Sequence, residues 1–242
     1  MSTPLTASED HARWQSERRD AVTARTGNLA LIETRWTGSE RPDLAAEQQG
    51  AASASVTVTA LERKDLTTGE AEYGLRVWDA ESPAIRAFDH IDTYDYDPDW
   101  VIEAQFTPVD SDRTVPFEHI RDNGGSRELV VPGDITFTLG GVAHRLAAFD
   151  DAGSLLLVFG DATNGAETYG AGRFLFVPCD AAEFGAEGTV VLDFNRAFVP
   201  PCGFSAQYNC PMPPAQNRFA EPIRAGEKNV VFQGDFDIYA AL

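Results

Sequence analysis

Side chains able to do chemistry crowd one stretch of this sequence, from Gly160 to Lys228. It opens with GDATNGAETYGAGR, four glycines in 14 residues together with Asp161, Thr163, Asn164, Glu167, Thr168, Tyr169 and Arg173. Glycine lets backbone N–H groups turn toward a common point, and a guanidinium is a planar fork suited to a carboxylate or phosphate. Such a loop can cradle a small anion. It can equally be a long hairpin loop built of turn residues, because it has neither a Walker-type phosphate loop nor a GxGxxG dinucleotide loop. Next comes TVVLDFNRA, where Asp193 and Asn195 stand two apart and so share one face of a strand, with Arg196 beside them. A carboxylate, an amide and a guanidinium this close can hold a ligand, or can satisfy the backbone of a neighbouring irregular loop.

Weaker constellations lie elsewhere. DTYDYDPDW gathers Asp92, Asp95, Asp97 and Asp99 but lacks the Gly and Glu that complete an EF-hand loop. Cys202 and Cys210 have no CxxC or HxxxH partner, so no metal site is predicted. GFSAQ around Ser205 begins like a nucleophile elbow but has Gln207 where the second Gly belongs. His11, His90, His119 and His144 are scattered, and only His144, on a predicted hairpin strand, is placed like a base. No cofactor is specified.

The run ETYGAGR, LDFNRA, PPC, CPMPPAQNR and IRAGEK resembles the C-terminal signature of domain-of-unknown-function family 1684, a bacterial and archaeal family. The likeness is densest over residues 161–228. It extends more weakly to Trp14 with Arg18 and to DPDWVIEAQF. Where this chain has Phe198-Val199 the family commonly carries Tyr-Asn, so any hydrogen bond made by that pair is lost here. The resemblance implies a mostly β fold and no established reaction. The residues matching its polar signature are Thr168, Tyr169, Arg173, Asp193, Asn195, Arg196, Asn217, Arg224, Glu227 and Lys228.

Two functions are open on these residues. The first reading places a small anionic molecule between the glycine-rich loop and the proline-rich loop: if Arg173, Arg196, Arg224 and Lys228 converge there, they form a positive pocket in a negative field. Tyr169 and Asn195 would then orient it, and Asp193 would hold an Arg or act as a base. If each cation instead meets a carboxylate, the set is structural glue, and the protein is a structural or interaction module. Neither reading decides whether the protein is an enzyme.

The elements that must position these groups read mainly as strands. Thr6 and Glu9 form a capping box, and Trp14, Arg18, Ala21, Val22 and Arg25 fall near helical spacing, with Gly27 as the stop. NLALIETRW, SVTVTALERKD, AEYGLRVWDA, DWVIEAQFTPVD, SLLLVFGD, RFLFVP, TVVLDFNRA and VVFQGDFDIY have strand length and composition. RPDLAAEQQGAASAS reads as a loop or a short helix. DITFTL and VAHRLAAFD flank Gly140-Gly141, a strong hairpin signal. Six of the 14 prolines fall between Pro200 and Pro222, interleaved with Cys202, Phe204, Tyr208, Cys210, Met212 and Phe219. That predicts an ordered but irregular loop pinned to the core. The predicted fold is an antiparallel barrel or two-sheet sandwich with an N-terminal helix over 1–27, packed on one β-rich domain over 28–242.

Composition narrows the partners. The chain has 242 residues, 38 acidic against 19 basic, for a net charge of −19, and is 43% hydrophobic. Such a chain folds, burying roughly 70% of its surface. Its charge repels phosphate backbones and anionic lipid, so neither nucleic acid nor a membrane is an expected partner. No apolar run reaches the 18 residues of a membrane helix, and the first residues lack the basic and apolar regions of a secretory signal. A cytoplasmic protein with three free cysteines is expected. Oligomeric state has no signature in the sequence.

Overall fold

The computed structural model describes residues 5–51, 53–64, 68–109, 113–120, 126–151, 153–179 and 184–240. The fold is mainly β, with antiparallel sheets and an N-terminal helix. Among the described residues no helix is long and apolar enough to cross a membrane.

Helix α1 (Ala7–Thr23) starts at the expected capping box. Glu9 Oε2 accepts from the Thr6 N–H at 2.7 Å, and Thr6 Oγ1 accepts from the Glu9 N–H at 3.3 Å. The exchange satisfies N–H groups that the first turn leaves open. Its less exposed face runs through His11, Trp14, Gln15, Arg18 and Val22, a helical period, while Ala21 is exposed. The helix ends four residues before Gly27, where Thr23 Oγ1 bonds back to the Arg19 carbonyl at 2.8 Å.

The chain divides into two compact units. One comprises Arg13–His90, Pro201–Tyr208 and Val230–Leu242. It holds a three-stranded antiparallel sheet in the order β1 (Leu31–Gly38), β3 (Ala71–Asp79), β2 (Val56–Lys64). The polar stretch before β2 contains a short helix, α2 (Leu44–Gln49), capped by the Asp43 carboxylate. A further short helix, α3 (Pro83–Ala87), is capped by Ser82.

The other unit comprises Met1–Ala12, Ile91–Pro200 and Asn209–Asn229. Its six-stranded sheet runs β11 (Arg173–Val177), β10 (Ser154–Phe159), β9 (Val142–Asp151), β8 (Gly133–Leu139), β5 (Val101–Pro108), β12 (Gly188–Asp193). The predicted hairpin is β8–β9, with Leu139 opposite Val142 and both Gly140 and Gly141 at positive φ. Just past β12, Phe198 pairs with Phe174 of β11, so the sheet curls back on itself around one core. That core takes Phe106, Ile135, Leu146, Leu157, Leu175 and Leu192 from successive strands. Phe194, Phe219 and Ile223 complete it from outside the sheet. Each phenylalanine so buried is worth about 1.5–3 kcal/mol. Side chains fill the interior, as in small barrels generally.

Among the described residues, three strands carry no strand pattern: β4 (Phe88–Thr93), β6 (Thr114–Glu118) and β7 (Ser126–Val130). β6 and β7 pair with each other, and β4 pairs with β13 (Glu227–Phe232). The acids of β4 and Pro116 of β6 hide their pattern. β13 begins three residues before the expected last strand and stops at Phe232, because Gly234 turns the chain at φ 65°.

Candidate functional site

The glycine-rich stretch is the connection between antiparallel strands β10 and β11, and several of its N–H groups bond within the loop itself. Those of Ala166, Glu167 and Thr168 all point to the Thr163 carbonyl, at 2.8 to 3.1 Å, and Gly165 N donates to the Thr168 carbonyl at 2.9 Å. Asp161 organises the loop. Its Oδ1 accepts from the Thr163 N–H at 2.8 Å and hydroxyl at 2.6 Å, and from the Ile223 N–H at 3.2 Å. Thr168, also buried, joins Thr163 through their hydroxyls at 2.8 Å. Tyr169 contributes backbone: its N–H donates to the Lys228 carbonyl at 2.9 Å.

Arg173 is 0% exposed, as is the Asp161 side chain it meets at 2.8 Å. Its Nη1 and Nη2 also reach three backbone carbonyls, those of Ile223 (2.6 Å), Ala225 (2.5 Å) and Glu227 (3.2 Å). The guanidinium carbon also lies 5.3 Å from the centre of the Phe159 ring. A five-donor fork is the side chain that can gather so many acceptors from a segment without regular structure. Glu227 works from the other side. It is 1% exposed, and its Oε2 accepts from the Val199 N–H at 2.8 Å while its own N–H donates to the Ala197 carbonyl. Between Ala225 and Glu227, Gly226 sits at φ 78°, where a Cβ would come within 2.5 Å of the Ala197 oxygen. Phe198 packs its ring on Phe174 and Phe176, so aromatic contacts occupy the place where the family commonly has Tyr.

Asp193, Asn195 and Arg196 do come together, for a different reason than strand alternation. β12 ends at Asp193, and residues 194–196 form a 3-10 turn that the Asp193 carboxylate caps. Asp193 Oδ1 accepts from both the backbone N–H (3.2 Å) and the Nδ2 (2.9 Å) of Asn195. Asn195 is fully buried and exchanges two 2.9 Å bonds with the Asp97 backbone. Arg196 bridges Asp193 at 3.3 Å and also pairs with Asp10, 186 residues away.

Arg224 and Lys228 form a third, more exposed group with Glu167, Tyr94 and Asp92. Glu167 accepts from Arg224 at 2.7 Å and from the Tyr94 hydroxyl at 2.9 Å, and Lys228 meets Asp92 at 2.7 Å. Arg224 first, and then the Tyr94 hydroxyl, hold the Glu167 carboxyl down to about 2. Burial, and then the bond to Glu167, push Tyr94 up to about 12. Because the Glu167 carboxyl is more acidic folded than unfolded, its contribution is complete above pH 4.5 and fades as pH falls through about 2. Glu167→Gln should therefore differ from wild type in thermal midpoint above pH 4.5, with the two curves closing toward pH 2. A constant gap across that range would contradict the pairing.

Asn217 stands apart from all three groups, buried against Ala147 and Val158. Of the weaker candidates, the Asp97 carboxylate caps Asp99, and among the described residues no group of three or more metal-ligating side chains converges. His144 packs between Phe137 and Phe219, with Nε2 4.0 Å from Glu221 Oε2. Ser205 donates to the Leu31 carbonyl at 2.7 Å. Asp10, Asp97, Glu167 and Tyr94 are partners that carry no signal of it in the sequence, because nothing local to them points to the cations and amides they meet.

A family model described as a protein of unknown function, DUF1684, matches residues 86–228. The chain belongs to this family. All of the polar groups above except Asp10 lie within the DUF1684 match. A similar solved structure is the solution NMR structure of an uncharacterised protein from Haloarcula marismortui, 29% identical, with a TM-score of 0.48, covering 58% of this chain and 77% of that one. No match was found among curated proteins.

Proposed function

We propose that the DUF1684 region is a structural or interaction module whose polar signature locks an irregular C-terminal segment onto the sheet. The observation that carries this reading is the environment of Arg173. Its guanidinium is wholly buried and is used by Asp161 and by carbonyls of residues 223–227. The other cations follow suit, Arg196 on Asp10 and Asp193, Arg224 on Glu167, and Lys228 on Asp92. A pocket for a small anionic molecule between the two loops would have to draw on these same cations, and each has a carboxylate of its own.

Inorganic phosphate is the probe that separates the two readings. On the locking account, phosphate leaves the thermal midpoint where chloride of equal ionic strength leaves it. Arg196→Ala then lowers the midpoint by about 2–4 °C, the equivalent of about 1 kcal/mol for a half-exposed pair, with or without phosphate. A phosphate-specific rise in midpoint, lost in Arg196→Ala and Arg224→Ala proteins of unchanged basal midpoint, would establish the anion site instead.

A further inference from the structure

A cavity of about 360 Å³ lies wholly within the unit that contains the three-stranded sheet. Leu29, Leu31 and Phe204 are buried in its walls, and Ile32, Phe236 and Ile238 line it with them. The volume suits a small molecule, and an apolar wall with a few polar groups is the usual make-up of such sites.

The polar groups decide what kind. Two serines line the cavity, but both hydroxyls are engaged by backbone. Ser82 donates to the Leu29 carbonyl and accepts from the Ile85 N–H, and Ser205 donates to the Leu31 carbonyl and accepts from the Gln207 N–H. Gln207 Oε1 accepts from the Thr34 N–H at 3.1 Å. Two carboxylates also line it, Asp79 and Asp237, and among the described residues no Lys, Arg or His does. The Ser55 hydroxyl and then the Glu81 N–H hold the Asp79 carboxyl below its ordinary range, so it is charged at neutral pH. Asp237 Oδ1 accepts from the Tyr239 N–H at 2.8 Å.

We infer that this cavity binds a small apolar cation, an organic ammonium whose hydrophobic body enters between Leu31, Phe204 and Phe236 while its charge meets Asp79 and Asp237. The walls offer an apolar body the surface it needs, and the two acids reject an anion of the same shape. The net charge of −19 reinforces that preference at long range, since it draws cations to the whole surface. The inference is independent of the lock around Arg173, because none of its residues belongs to that network.

Three probes that share a phenylethyl body test it at low salt by isothermal titration: 2-phenylethylamine, 2-phenylethanol and 3-phenylpropionate. The ammonium should bind about fivefold more tightly than the alcohol, the margin a partly exposed ion pair supplies, and the carboxylate should bind most weakly of the three. The Asp79→Asn, Asp237→Asn double variant should erase the advantage of the ammonium and leave the alcohol unchanged. Ala84→Trp, which adds bulk to the cavity lining, should weaken all three. Equal binding of ammonium and alcohol to the wild type would overturn the inference, as would failure of the ammonium to bind. So would an ammonium preference that survives the double variant, which would trace it to the acidic surface at large.

Discussion

Arg173→Ala should lower the stability of the protein by about 3–5 kcal/mol, the usual cost of removing one partner of a buried ion pair. The substitution leaves the Asp161 carboxylate charged in a place where its side chain has no contact with water. It also takes donors from the carbonyls of Ile223, Ala225 and Glu227, and each buried acceptor stranded in this way adds to the loss. Against a typical total of 5–15 kcal/mol, the variant stands near the edge of folding. Arg173→Lys should recover only part of the loss, since one ammonium cannot reproduce a planar fork reaching four acceptors. Urea unfolding reads both. A midpoint like that of wild type for Arg173→Ala would mean that these bonds hold nothing together.

Asn217→Ala should cost about 3 kcal/mol, because three backbone groups lose their partner inside the protein. Strands β9 and β10 pair through Phe149 and Leu156, and the next outward positions of the same register include Ala147 and Val158. There the Asn217 amide stands in for the strand-to-strand bonds. Its Oδ1 accepts from the Ala147 N–H at 2.9 Å, and its Nδ2 donates to the Ala147 and Val158 carbonyls at 2.8 and 2.9 Å. The backbone around it is tied to the same place, since Gly160 N donates to the Asn217 carbonyl and Phe219 N to the Gly160 carbonyl. Asn217→Asp is the sharper control. It keeps the shape but has no N–H to donate, and it places a charge in a buried site, so it should be at least as destabilising as the alanine variant. If thermal melts show the aspartate protein equal to wild type, the amide is not part of the sheet's support.

Much of this arrangement was legible from residue patterns, and what was not has physical causes. The capping box at Thr6 and Glu9, the Gly140-Gly141 hairpin and the irregular but buried proline-rich stretch all rest on local chemistry, which sequence carries directly. The polar residues of the signature were also legible as a set. Their partners were not, because the Arg196–Asp10 and Asn195–Asp97 contacts join positions far apart in the chain. Asp193 and Asn195 met as expected, yet through a capped 3-10 turn. Alternation assumes that the strand continues, and here Asp193 ends it by offering its carboxylate to the next turn. Strand β4 escaped notice because Asp89, His90 and Asp92 interrupt its apolar pattern.

The account turns on Arg173 and Asp161 acting on each other to hold residues 223–227. A double-mutant cycle in urea unfolding tests that most directly, with Arg173→Met removing the cation and Asp161→Asn removing the charge while keeping an acceptor oxygen. The account predicts that each single variant is strongly destabilised and that the double variant loses less than the two together, with a coupling of about 2 kcal/mol or more. Single variants that unfold at the wild-type midpoint, or losses that simply add, would contradict it and return Arg173 to the list of residues free to serve a ligand.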